Sequence, residues 1–319
     1  MIRQTIAKFR ADYKVKSMKT THLFALILIL FASMRASQAQ ITVFEYSKKE
    51  MAHNLSELKK RNLIFVIRDS EIEQIPKYET ALRNGWTLSE VEVVTSDELL
   101  YYEDSENYTF VTLDARAAVA GKADMSTAVL TMMFKDSVTK KGPTNIKLAE
   151  IFMYADYKYF NTTYKDIITK EDSVIQIHNY LPGFLQLYFQ YIQKNLETGT
   201  SVKHFQKTET LNSNKTALFK NVLYIPDYCL KKFKLIDPRA NEYYEESEFR
   251  DKYFGKLTFV DSDSLSDLIL RKEINFVLIY NMHYTQSFVN IFNVQTGEMV
   301  HKNVYTGDYD LAPVRLKEI

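Results

Sequence analysis

Two short polar stretches carry the side chains whose type and spacing could do chemistry. Ser96-Asp97-Glu98 and Ser262-Asp263-Ser264 stand 166 residues apart, each just after an apolar run that reads as a strand. Ligands of open α/β sheets gather at such strand ends. A carboxylate there could hold a hydroxyl, a cation or a metal, so Asp97 and Asp263 are the candidate ligand-binding carboxylates. A structural role competes with this one. Thr95-Ser-Asp-Glu98 has the capping-box pattern, and Asp261-Ser-Asp-Ser264 also offers cap side chains. On that reading Ser96 and Asp97 satisfy the orphan N–H groups of the following helix.

Aromatic residues are the second source of chemistry. The chain holds 22 Tyr, 20 Phe and a single Trp. Tyr157 and Tyr159 lie in a dense run from Tyr154 to Tyr164 and are candidate ligand-stacking residues; packing is the ordinary use of such rings. Asp156, Asp166, Glu171 and Asp172 surround the same run and could pair as glycosidase carboxylates, although sequence spacing does not set their separation. His53, His178, His204, His283 and His301 form neither H-x-H nor H-E-x-x-H. Neither a metal site nor a cofactor is expected. Cys229, the lone cysteine, has no histidine near it in sequence and reads as a buried thiol. Eight glycines are too few and too scattered for G-x-G-x-x-G, a P-loop or G-x-S-x-G. No catalytic residue is assigned.

The elements that position these residues recur. At an offset of 166, Val91–Leu99 lies over Leu257–Leu265, and Tyr108–Leu113 over Ile274–Ile279; upstream, Asn62–Ile67 resembles Asn221–Ile225. Each copy reads β-α-β-α-β. The expectation is an α/β protein of two homologous lobes, made by internal duplication, with parallel pairing and right-handed crossovers. Added antiparallel strands are expected at Ala128–Lys135 in the first copy, and as a hairpin, Ser287–Val294 and Glu298–Tyr305, in the second. That hairpin turns over Gln295-Thr-Gly-Glu298, with Gly297 where a positive φ is needed. Glu71–Asn84 reads as a helix with Pro76 near its start and Gly85 as its stop. Lys147–Phe160 and Glu171–Leu196 read as a helical connector that Pro182 kinks or starts. The domains are then 1–39, 40–146 for the first lobe, 147–212 for connector and loop, and 213–319 for the second lobe.

Composition and charge set the class. At 46% hydrophobic and 25% charged residues, the chain has the make-up of a folded globular protein. Residues 1–39 hold seven Lys/Arg and one acid, leaving 34 basic and 39 acidic residues beyond them. An acidic body is no footprint for nucleic acid. Residues 23–34 are an unbroken apolar run, too short to span a bilayer but suited to a secretory signal. Lys14, Lys16 and Lys19 precede it, and Ser37-Gln38-Ala39 offers a cleavage site before Gln40; Met18 is the better start. The expected destination is the periplasm or the exterior, with no membrane span in the mature chain. The expected function is a non-catalytic envelope binding or scaffold module engaging a protein or a glycan. The alternatives are an envelope-acting hydrolase using the strand-end carboxylates, and a small-ligand binding protein with a cleft between the lobes.

Overall fold

The structure is a computed structural model that describes residues 41–102, 106–120, 123–136, 144–155, 177–200, 212–232, 242–283, 286–306 and 310–319. The expected secretory signal, Tyr157, Tyr159 and the four connector carboxylates lie outside them.

The chain is mixed α/β with two mixed sheets. Sheet 1 has the order β1-β6-β5-β4-β2-β3. Its strands are β1 (Ile41–Val43), β2 (Asn62–Val66), β3 (Val91–Val94), β4 (Tyr108–Ala120), β5 (Ala123–Asp136) and β6 (Thr144–Phe152). β3, β2 and β4 pair in parallel, while β4, β5, β6 and β1 pair antiparallel. Sheet 2 has the order β10-β7-β11-β12-β13. It consists of β7 (Val222–Pro226), β10 (Lys256–Val260), β11 (Phe276–His283), β12 (Gln286–Asn293) and β13 (Glu298–Thr306), with a small ribbon of β8 (Lys231–Lys232) and β9 (Glu242–Tyr243) beside it. β10, β7 and β11 are parallel and the last two pairings antiparallel. Taking β2-β3-β4-β5-β6 against β7-β10-β11-β12-β13, strand order and direction agree at every position. Each sheet also carries a bulge, in the matching β5–β6 and β12–β13 pairings, with the extra residue on the later strand: Leu148 in β6 and Val300 in β13.

Helices fill the crossovers. α1 (Lys48–Leu58) precedes β2 and opens with a Ser47–Glu50 capping box. A 3-10 turn, Asp69–Gln74, leads into α2 (Ile75–Gly85), which has Pro76 in its first turn. α3 (Pro182–Thr198) starts at its proline and ends on Gly199 at φ 64°. α4 (Asn212–Lys220) precedes β7; α5 (Glu246–Arg250) and α6 (Ser262–Leu270) flank β10. α3 packs against α2 on one side and α6 on the other. Two glycines permit this. A Cβ on Gly85 would stand 2.7 Å from the Gln186 carbonyl oxygen, and one on Gly183 would overlap the backbone of Ser266. Gly85 is thus the last helical residue and a crossing point rather than a stop. Phe65, Tyr78, Phe184, Phe189, Leu265, Ile269, Val277 and Phe292 join one core, so both sheets contribute to it. A second core lies on the far face of sheet 2, around Leu223, Phe249, Leu278 and Ile291.

The largest departure from expectation is at 147–160. Lys147–Phe152 is strand, not helix, and closes sheet 1 beside β1. The β6 bulge explains the misreading. It turns both Leu148 and Ala149 into the core and erases the alternation that marks a half-buried strand. Of the helix expected after Ser96, the described residues show a 3-10 turn, Glu98–Tyr101. The hairpin at Gln295–Glu298 is as expected, with Gly297 at φ 68°.

Candidate functional site

The carboxyl ends of β3 and β2 and the middle of β4 form a crevice. From β2 the chain crosses to β3 on one side, and β4 returns to the other, so the connections diverge and leave a gap between them. A cavity of about 170 Å³ occupies it, lined by Arg68, Asp69, Ser96, Leu99, Thr112 and Asp114. Leu99 and Thr112 also border an adjoining cavity of about 410 Å³ with Phe110, Met133, Lys135 and Asn145.

Buried aromatic rings adjoin the end of β2. The rings of Phe65, Tyr78 and Tyr180 lie 5.8–6.0 Å apart. The Tyr180 hydroxyl donates to the Val66 carbonyl at 3.4 Å. Burial pushes both phenols far above their usual range. Glu71 lies in the following turn with Arg68 Nη1 3.7 Å away. Burial raises the Glu71 carboxyl; the Arg68 charge and the Tyr78 hydroxyl pull it back only in part.

Hydrogen bonds tie the walls together. Ser96 Oγ donates to Asp69 Oδ1 at 3.0 Å, so the turn after β3 is latched to the turn after β2. Thr112 Oγ1 donates to Asp114 Oδ2 at 3.4 Å. Thr95 and Glu98 form the capping box: Thr95 N–H donates to the Glu98 carboxylate at 2.9 Å, and Glu98 N–H to Thr95 Oγ1 at 3.4 Å. Outside the latch lies apolar surface. Among the described residues six large hydrophobic side chains are exposed, and Ile72, Leu100 and Tyr101 all belong to these two turns. Tyr101 is 85% exposed and Leu100 73%. Tyr102 donates to Glu92 at 2.7 Å, which pushes its hydroxyl up to about 12. Its ring meets Tyr108 at 5.1 Å, and Tyr108 meets Phe110 at 6.3 Å, a line of rings running to the larger cavity.

Among the described residues, packed aromatic rings occupy the same end of sheet 2. Tyr154 stacks on Tyr228 at 4.6 Å, and His178 lies 5.0 Å from Tyr228. The Tyr228 hydroxyl donates to the Tyr280 carbonyl at 2.9 Å. Burial raises the Asp227 carboxyl, with His178 opposing and Asp261 adding to the rise. Cys229 is buried here, and burial lifts its thiol well above the range of a reactive thiolate.

The two candidate carboxylates are exposed and belong to different sheets. Asp97 makes no side-chain cap bond, and Asp263 lies in the first turn of α6. The capping role expected of Ser96 and Asp97 falls one residue earlier, on Thr95, and Ser96 serves as the latch. In the turn after β10 Asp261 is the cap, accepting from Ser264 N–H at 2.9 Å. Sequence reasoning passed over Asp69 and Asp114. Asp69 was legible as a second strand-end carboxylate, three residues beyond β2; Asp114 lies within a strand and gave no signal. Among the described residues no three His, Cys, Asp or Glu side chains gather as metal ligands, and no helix is long and apolar enough to cross a membrane. Compared with known protein-family models, curated proteins and solved structures, the chain matches none.

Proposed function

We propose that this chain is an exported, non-catalytic binding or scaffold module of the cell envelope, which engages an envelope protein or a glycan at the carboxyl end of sheet 1. The observation that carries the reading is that Ile72, Leu100 and Tyr101, half of the exposed large hydrophobic side chains among the described residues, lie on the two turns that the Ser96–Asp69 bond latches together. Exposed apolar side chains gathered at one place mark an interaction site; singly scattered ones do not. The polar groups nearby are engaged in holding the two turns together, which suits a preformed binding surface. Export rests on the basic, then apolar, then small-residue order of residues 14–39, with cleavage between Ala39 and Gln40. Duplication of an ancestral α/β lobe, with α3 as connector, is supported by the common strand order and by the two bulges.

The test is capture from an envelope extract by wild-type protein and by a Leu100→Ser/Tyr101→Ser variant, with glycan and peptide pools incubated alongside. The reading expects a partner retained at physiological salt by the wild type and lost by the variant. Cleavage of the added pools, or equal retention by the variant, would overturn it.

A further inference from the structure

We propose that the occupant of this surface is a cationic segment of a partner protein, anchored by an apolar or aromatic side chain. The inference rests on the binding reading above and names the chemistry of the partner.

Charge carries the argument. Residues 67–74, 95–102 and 112–114 build the rim and walls of the crevice, and they hold six carboxylates (Asp69, Glu71, Glu73, Asp97, Glu98 and Asp114) against one guanidinium, Arg68; the adjoining cavity adds one ammonium, Lys135. Arg68 faces Glu71, so its charge is largely balanced within the wall. Asp69, Glu73, Asp97 and Glu98 are exposed around the apolar side chains. An apolar patch inside an acidic rim complements a segment in which Lys or Arg brackets an apolar anchor. It repels phosphate backbones and anionic lipid headgroups. The cavities give the segment places to bind. The 170 Å³ crevice, with Asp69 and Asp114 on its walls, suits the head of a basic side chain. The 410 Å³ cavity, floored by Phe110 and Met133, suits an apolar one. Leu99 borders both, so one short extended segment can fill the two together.

The experiment is fluorescence anisotropy of the full-length protein with four labelled probes. They are the peptides Lys-Trp-Lys-Phe-Lys, Glu-Trp-Glu-Phe-Glu and Ser-Trp-Ser-Phe-Ser, and an N-acetylglucosamine oligomer. The lysine peptide is expected to bind best and to weaken with added salt. Leu100→Ser/Tyr101→Ser is expected to weaken it about tenfold, and Glu73→Gln/Asp97→Asn a few-fold with a shallower salt dependence. All four substituted positions are exposed, so the variants should keep the wild-type melting temperature. Preference for the neutral, acidic or sugar probe, still dependent on Leu100 and Tyr101, overturns the cationic partner and leaves the binding surface standing. Lysine-peptide binding that neither variant changes removes the surface and both readings with it. Absence of lysine-peptide binding also overturns the proposal.

Discussion

The turn after β3 and the turn after β10 begin alike and end differently. Thr95-Ser-Asp-Glu-Leu99 and Asp261-Ser-Asp-Ser-Leu265 each leave a parallel strand, and each is capped by its first residue. After β10 the turn continues as α6, nine residues long. Leu265 and Ile269 share one face and enter the common core, and Ser266 meets Gly183 on α3. After β3 the residue at the spacing of Ile269 is Glu103 in the sequence, not an apolar one. The 3-10 turn runs to Tyr101, and Leu100 and Tyr101 are exposed. The helix after β10 thus joins the core that both sheets share, whereas the turn after β3 offers apolar side chains to solvent. That contrast is what places the proposed binding surface on sheet 1.

The sharpest way to break this contrast is in the core. Ile269 is fully buried beside α3. Ile269→Ala should cost about 2–5 kcal/mol of stability. Leu100→Ser/Tyr101→Ser should stay within about 0.5 kcal/mol. Denaturant melts of the two variants check both figures. A large loss from the exposed pair would mean that the turn after β3 supports the fold, as its counterpart does.

The helix crossings come next. Gly183→Ala places a Cβ against the Ser266 backbone, which has no flexible end to yield. A loss of about 1–3 kcal/mol is expected. Gly199→Ala has open space around it and pays only for its left-handed backbone, about 1 kcal/mol. Comparing the two melting temperatures separates close helix approach from local backbone strain. If the Gly183 variant were the milder one, α3 would not be clamped between the two sheets' helices.

How much of this was legible beforehand follows from which side chains act locally. β2, β3 and β4 were readable because their apolar runs are short and bounded by turn residues. The hairpin over Gly297 was readable because one residue type suits a left-handed turn. β6 was not, because a bulge hides the strand period behind contiguous Leu148 and Ala149. For the cap, the repeated Ser-Asp pair pointed to Ser96 and Asp97, whereas Thr95 carries the bonds. Sequence places Asp97 beside the helix start, but only backbone geometry shows that Thr95 reaches the N–H and that Ser96 reaches Asp69 instead. That latch spans 27 residues, and no local pattern encodes it.

The smallest expected effect tests the capping assignment itself. Asp261 accepts from Ser264 N–H, and these bonds hold its carboxyl below the ordinary carboxylate range. Asp261→Ala should therefore cost about 1 kcal/mol at neutral pH, whereas Asp97→Ala, with no cap bond to lose, should be neutral. A carboxyl with a lowered folded pKa stabilises above its unfolded value, and that stability is lost as the pH falls through the folded value. The gap between wild type and Asp261→Ala should thus be full at pH 7 and narrow in acid, below the usual range of aspartate. Thr95 carries no charge, and Thr95→Ala should cost a similar amount at pH 7 through the loss of the Glu98 N–H bond. Stability curves of the three variants between pH 3 and 7 settle the assignment. A loss for Asp97→Ala equal to that for Asp261→Ala would put the cap of the turn after β3 on Asp97, and the two turns would then be capped at different positions.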